Sequence, residues 1–271
     1  MRRLLIRPGG IGDCILTFPV MEFLAADYTE VWVPGAIVPL VRWADKVAGI
    51  ADTGLELFGV GDLAPNENLL ARLRTFDSIV SWYGANRDEF RATMAQYGLP
   101  VQFHPALPPP TWSRHATDFF AAQAGAPLGL APKLSIERAV HERASVVIHP
   151  FSGSPKKNWP LEKFRELARE LPLPVEWLAG PDELLEEARR FHDLRNAAEW
   201  IAGARVYIGN DSGMTHLAAA TEVPVIALFG PTDPRVWAPR GENVTITRWE
   251  PIRDLPVSEI LQEVRRALGR A

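Results

Sequence analysis

Two short apolar runs, Val206-Tyr207-Ile208 and Val225-Ile226-Ala227-Leu228-Phe229, flank the stretch Gly209-Asn210-Asp211-Ser212-Gly213-Met214-Thr215-His216-Leu217-Ala218-Ala219-Ala220. A brief apolar run, a polar glycine turn, a run of Leu and Ala, and a second apolar run read as strand, turn, helix, strand. Strands joined through a helix run parallel, which confines this segment to an α/β sheet. In such a unit the turn's N–H groups and the helix N-terminus offer partial positive charge at the carboxyl end of the strand. The ligand they suit is a phosphate or pyrophosphate. Asp211 is the residue that a plain anion cradle would leave out. It either accepts hydrogen bonds from a ligand hydroxyl, braces the turn, or caps the helix, and Ser212 shares the capping alternative. Ser212 and Thr215 add hydroxyl donors, and Gly213 allows close backbone approach.

The same order of elements runs through the whole chain. Residues 3–7 read as a first buried strand, 8–12 as a turn, and 13–26 as a helix with Ile15, Leu16, Pro19, Val20, Phe23 and Leu24 on one side. Strands are expected at 31–33, 78–82 and 101–103, and a helix at 117–125. In the second half, strands are expected at 145–149, 175–179, 206–208, 225–229 and 244–247. Helices are expected from Pro160, from Glu183 through Arg190, over 197–204, and near the C-terminus with Ser258 as cap. Alternation in both halves predicts two parallel-sheet domains facing each other, joined through the Gly-, Ala- and Pro-rich segment 125–134.

Two further turns carry chemistry. Gly9-Gly10-Ile11-Gly12-Asp13 joins the first strand to the first helix. It is not a G-x-G-x-x-G fingerprint, so a nicotinamide dinucleotide site is disfavoured. It does set a carboxylate at a helix N-terminus, where Asp13 acts either as a cap or as a general base. Pro150-Phe151-Ser152-Gly153-Ser154-Pro155-Lys156-Lys157-Asn158-Trp159-Pro160 again lies between a strand and a helix. Hydroxyls, backbone N–H groups and a lysine point charge suit phosphate oxygens; the alternative is a solvated loop. The chain has 29 basic residues and only five are lysines, so a lysine pair in a Gly/Ser loop stands out. Glu183 follows the 175–179 strand, where an acidic residue either meets ribose hydroxyls or starts a helix. His216 braces the Asp211 turn, touches the anion, or packs structurally. Trp82 and Trp159, next to strand ends, are the tryptophans placed to line a cleft.

Composition excludes several classes. A net charge of −4 argues against a general nucleic-acid binder. No apolar run reaches transmembrane length. The lone Cys14 excludes an intramolecular disulfide and fits a reducing compartment. No Asp-x-Asp occurs, so a site built on a divalent metal lacks its usual carboxylates. Gly-x-Ser-x-Gly is absent too, which disfavours a serine hydrolase.

Taken in order, four segments resemble glycosyltransferase family 9, best known for ADP-heptose:lipopolysaccharide heptosyltransferases. They are Arg7 with Gly12-Asp13 and Ile15-Leu16-Thr17-Phe18-Pro19; Phe76-Asp77-Ser78-Ile79-Val80; Ser152-Gly153-Ser154 with Lys157-Asn158-Trp159-Pro160; and 209–220 running into Ala227-Leu228-Phe229-Gly230-Pro231-Thr232-Asp233-Pro234 and Trp237. The resemblance implies a GT-B fold, two Rossmann-like parallel-sheet domains facing across a cleft. Residues 1–128 would form the acceptor-side domain carrying the base, and 129–271 the nucleotide-sugar domain. By resemblance Asp13 is the catalytic base. Gly12, Ser152, Ser154, Lys157, Asp211, Ser212, Gly213 and His216 meet the donor and its phosphates, and Glu183 and Leu194 meet the nucleoside. The implied reaction is an inverting, metal-independent transfer of a sugar, in the family's common case heptose from ADP-heptose, to a lipopolysaccharide-type or other glycan acceptor. The implied partners are that donor and a glycan or glycolipid, with no cofactor and no nucleic acid. The implied location is the cytoplasm, with peripheral contact at the inner face of its membrane. The chain is short for the family, and the shortage falls in the N-terminal half. Arg87, Arg91 and Arg114 are the basic residues there that a phosphorylated acceptor would meet. Two rivals share the architecture: a nucleotide-sugar epimerase or hydrolase, and a non-catalytic nucleotide- or glycan-binding protein.

Overall fold

The computed structural model describes residues 1–58, 66–136 and 144–269. Contacts divide the chain into two compact units: Met1–Trp112 with Thr117–Leu130, and Ser113–Ala116 with Ala131–Ala271. Each is built on a five-stranded, all-parallel sheet.

The first unit runs β1 (Arg2–Ile6), α1 (Ile11–Phe23), β2 (Tyr28–Val33), β3 (Lys46–Gly49), α2 (Glu67–Leu73), β4 (Ser78–Ser81), α3 (Asp88–Gln96), β5 (Val101–Phe103) and α4 (Ala116–Ala124). Its sheet order is β3-β2-β1-β4-β5. Leu4, Leu5 and Ile6 are fully buried in sequence, as a parallel strand covered on both faces requires. Leu4, Ile6, Trp32, Ile79, Phe90 and Met94 belong to one apolar cluster.

The second unit runs β6 (Val146–His149), α5 (Leu161–Glu170), β7 (Val175–Trp177), α6 (Leu194–Ala202), β8 (Val206–Asn210), α7 (Gly213–Ala220), β9 (Val225–Phe229), α8 (Pro234–Trp237), β10 (Val244–Arg248) and α9 (Val257–Gly269). Its order is β10-β9-β8-β6-β7. Ile148, Ile208, Ile226 and Leu228 share a core with Trp159, Phe164, Ile260 and Val264. In each sheet the strand order reverses beside the first strand, between β1 and β4 and between β6 and β8. Open α/β sheets bind ligands at such reversals, outside the carboxyl ends of the strands.

Most expected elements form, with ends shifted by at most three residues. Several do not follow expectation. The helix expected from Glu183 through Arg190 is absent. Arg189 instead bridges Leu178 in parallel, donating its N–H to the Trp177 carbonyl at 2.8 Å. The Arg190 guanidinium bonds the carbonyls of Glu183, Leu185 and Ala188, which are thereby held in a loop. Ser258 lies inside α9 and is not its cap. Pro160 is the N-cap of α5 and not its first helical residue. Helix α6 starts at Leu194 because Asp193 caps it, its carboxylate accepting the N–H groups of Arg195 and Asn196. β3, α2, α3 and α8 were not foreseen. Among the described residues no helix is long and apolar enough to cross a membrane.

Candidate functional site

In the second unit the carboxyl ends of β6 and β8 lie side by side, with His149 in register with Gly209. One buried side chain joins the loops that leave them. The Asn210 amide donates to the Pro150 carbonyl at 2.8 Å, and its oxygen accepts the Trp159 N–H at 3.0 Å. Pro150 and Trp159 bracket the Ser/Lys loop, so both its ends hang on the residue just before Asp211. Within that loop Ser152 donates from Oγ to Asn158 Oδ1 and lies within bonding distance of the Ser154 carbonyl. A 3-10 turn, Pro155–Lys157, then brings the Lys157 ammonium to 2.7 Å from Asp211 Oδ2. Lys157 is a third exposed, while only 7% of the Asp211 side chain is exposed.

Asp211 therefore serves the turn as counter-charge for the lysine. Helix α7 begins beyond it, with Ser212 as N-cap accepting the Thr215 N–H. Thr215 donates its hydroxyl to the Asn210 carbonyl at 2.6 Å. Gly209 is required by close approach: a Cβ there would lie 2.8 Å from Thr215 Oγ1 and 2.9 Å from the Tyr207 ring. The resulting edge offers one cation on a movable stem, the free N–H groups of a helix start, and a buried carboxylate. That set suits a di- or polyanionic phosphate group.

Beside it, Glu183 follows β7. Its Oε2 accepts the Gly180 N–H at 2.5 Å and lies 3.0 Å from His149 Nε2. Burial alone pushes the Glu183 carboxyl up. The hydrogen bond and charge of His149, the Gly180 N–H and Arg190 outweigh it and hold the group below the usual carboxylate range. Leu194 is half-buried at the first position of α6. His216 is buried in the first turn of α7. A pocket of about 280 Å³ opens at the opposite, amino-terminal edge of this sheet, among Arg205, Glu222, Glu242 and Arg266. It contains none of these loops, and its walls mix both signs of charge.

In the first unit, Gly10 is the N-cap of α1 and its N–H donates to Asp13 Oδ2 at 3.0 Å. Gly9 has φ +117°, and a Cβ on it would lie 3.0 Å from Asp13 Cβ and Oδ2. Beneath the turn sits Arg7, wholly buried. Its guanidinium donates to Thr17 Oγ1 (2.8 Å), the Pro8 carbonyl (2.8 Å) and the Asp13 carbonyl (3.1 Å), and lies over the Phe120 ring. Thr17 itself donates to the Asp13 carbonyl at 2.8 Å. The base of Asp13 is thus tied from two sides, while its carboxylate stays half-exposed. Burial lowers the Arg7 pKa and pushes the Cys14 thiol up to about 12, which leaves that thiol inert.

A model of glycosyltransferase family 9 (heptosyltransferase) matches residues 192–262. The chain is 26% identical to lipooligosaccharide heptosyltransferase 2 of Haemophilus influenzae, over 92% of this chain and 88% of that protein. The chain thus resembles glycosyltransferase family 9, by the family model over residues 192–262 and by this relative over most of its length. Its alignment with that relative runs over 313 positions, so the relative carries tens of residues with no counterpart here. Its fold is similar to that of E. coli ADP-heptose lps heptosyltransferase II, with a TM-score of 0.77, 17% identity, and 100% of this chain and 99% of that one covered. It is also similar to E. coli heptosyltransferase WaaC with ADP, at a TM-score of 0.69, 17% identity, and 98% and 100% coverage. These likenesses show a GT-B fold.

In this glycosyltransferase the residues singled out from sequence fall into two groups. Gly12 and Asp13 stand at the start of α1, Gly12 half-buried in the first turn. Ser152, Ser154, Lys157, Glu183, Asp211, Ser212, Gly213 and His216 follow the carboxyl ends of β6, β7 and β8. Leu194 opens the helix after β7. Trp82 and Trp159 correct the expectation that they border an opening. Both are 1% exposed, and their indole N–H groups are spent on Gln123 Oε1 and the Leu255 carbonyl. Arg87 is turned onto its own neighbours, bonding Tyr83 Oη and lying over Phe90. Asn210, His149 and Thr17 were missed as positioning residues. Nothing local in sequence marks Asn210 and His149, whose partners lie 34 to 60 residues away, whereas the two partners of Thr17 (Asp13 and Arg7) are four and ten residues from it. Among the described residues no three His, Cys, Asp or Glu side chains converge as a metal site.

Proposed function

We propose that this chain transfers heptose from ADP-heptose to a lipopolysaccharide-type acceptor, with inversion and without a metal ion. The observation that carries the reading is the Lys157–Asp211 pair at the start of α7, on a loop clasped by Asn210. A lysine resting on a carboxylate beside free helix N–H groups is poised to exchange that carboxylate for a diphosphate. Lys157 and the Ser212-Gly213 amides then meet the charge that grows on the departing ADP, the charge that a divalent cation neutralises in other transferases. Ser152 braces the loop, Ser154 and Gly12 stand near the phosphates, His216 faces the sugar side, and Glu183 and Leu194 take the nucleoside. Asp13 is the general base. It takes the proton of an acceptor hydroxyl, whose oxygen bonds the anomeric carbon as the C–O bond to the ADP phosphate breaks. The acceptor is assigned to residues 1–128 and the donor to 129–271. The similarity to heptosyltransferases, one of them solved with ADP, supports the choice of sugar and base.

The test is release of ADP from ADP-heptose, with and without a heptose-deficient inner-core acceptor, in the presence of EDTA. Acceptor-dependent release that EDTA leaves intact is the expected result. Release without acceptor points to a hydrolase, and no release from ADP-heptose rejects the donor. The product's anomeric configuration by NMR decides inversion.

A further inference from the structure

His149 is the last residue of β6 and is 2% exposed. It is held in place by the strand itself, opposite Gly209. Its Nε2 lies 3.0 Å from Glu183 Oε2, the oxygen that also takes the Gly180 N–H. Both protein donors therefore converge on one carboxylate oxygen. The other, Oε1, has no partner among the described residues, and the Glu183 side chain is 27% exposed. An ionised carboxylate only accepts, so the imidazole carries its proton on Nε2. Its Nδ1 is buried with no hydrogen-bond partner, so all of the ring's directed bonding goes to Glu183.

We propose that His149 is a positioning residue for nucleoside recognition: it fixes the plane of the Glu183 carboxylate so that Oε1 is presented to the ribose hydroxyls of the donor. The inference rests on the reading of Glu183 as a nucleoside contact. Two donors on a single oxygen stop the carboxylate from rotating and leave the free oxygen a strong, charged acceptor. A ribose hydroxyl is a ligand group that such an oxygen can take a hydrogen bond from. A histidine present only to fill space would need no acidic partner. A phenylalanine would pack as well against Phe151, whose ring stands edge-on at 6.2 Å.

The experiment is calorimetric titration of the full chain with ADP and with 2′,3′-dideoxy-ADP, on wild type, His149→Phe, His149→Gln and Glu183→Ala. Dideoxy-ADP keeps the base and diphosphate, so its binding also reports that each variant is folded. Expected are a preference of wild type for ADP and a loss of about tenfold in ADP affinity for His149→Phe, the loss of one charged hydrogen bond. Dideoxy-ADP affinity stays unchanged, and His149→Gln, which keeps an N–H near the Nε2 position, recovers most of the loss. Equal weakening of both ligands by His149→Phe means a merely structural histidine and overturns the proposal. So does unchanged ADP binding in His149→Phe alongside weakened binding in Glu183→Ala, which leaves the Glu183 reading intact. If wild type does not distinguish the two ligands, or Glu183→Ala binds ADP normally, the reading of Glu183 fails and the proposal falls with it.

Discussion

Arg7 and Lys157 are both cations that follow the first strand of their unit, and the two sheets use them differently. Arg7 is wholly buried with neutral partners, two carbonyls and a hydroxyl, and it ties down the turn from below. Lys157 is a third exposed and rests on a single carboxylate. A guanidinium tied to three fixed acceptors and wholly buried is out of a ligand's reach. An ammonium on one flexible stem can trade partners. The first edge is thereby rigid and carries a half-exposed carboxylate, Asp13; the second is chargeable and carries a cation. Under the proposed function the difference has a use: Asp13, as base, is held in place before the acceptor arrives, and Lys157, as leaving-group clamp, is free to change its contacts as charge moves.

The sharpest way to break this contrast is at the carboxylate. Asp13→Asn should lower turnover by about 10²- to 10⁴-fold, the usual contribution of a general base, with ADP affinity unchanged by calorimetry. Retained turnover would remove the catalytic role from the first edge. Next comes Arg7→Met, which takes the donor from the Pro8 carbonyl and from Thr17 Oγ1, while the Asp13 carbonyl keeps the Thr17 hydroxyl. Urea unfolding should show a loss of about 3 kcal/mol, since each orphaned buried acceptor costs about 1–3 kcal/mol, and ADP affinity should not move. Gly209→Ala forces a methyl against Thr215 and Tyr207. Overpacking of that kind costs about 2 kcal/mol in the same assay. Lys157→Ala inverts the Arg7 pattern: ADP affinity should fall about tenfold for the lost charged contact, with a smaller change in melting temperature.

The smallest effect concerns acid. The folded state holds the Glu183 carboxyl below its ordinary 4.5, so the group stabilises the protein above that pH, and the stabilisation is lost as pH falls through the lowered value. The stability gap between wild type and Glu183→Gln should close as pH drops below 4.5, and a constant gap would contradict the assignment.

The alternating strands and helices were legible because parallel strands buried on both faces read as apolar runs, as at 146–148 and 225–229. The turns after β1, β6 and β8 were legible because glycine, serine and carboxylates cluster there. Less legible were β3, whose residues Lys46–Gly49 are only partly buried and carry no apolar run, and the segment after Glu183. In that segment the spacing suits a helix, but Arg190 captures the carbonyls a helix would use. The roles of Asn210 and His149 were invisible because each depends on a partner brought close by the sheet. Asp211 was read as an oddity beside an anion; the fold explains it as the resting partner of Lys157.

The clasp at Asn210 has a consequence for how such a protein changes over time. Residues 150 and 159 are anchored to the same amide, so the span between them is closed at its base whatever it contains. Insertions or exchanges within 151–158 leave the strands and the α5 start where they are. The loop is in that sense an interchangeable part: its contents can change while its two ends stay pinned to one side chain.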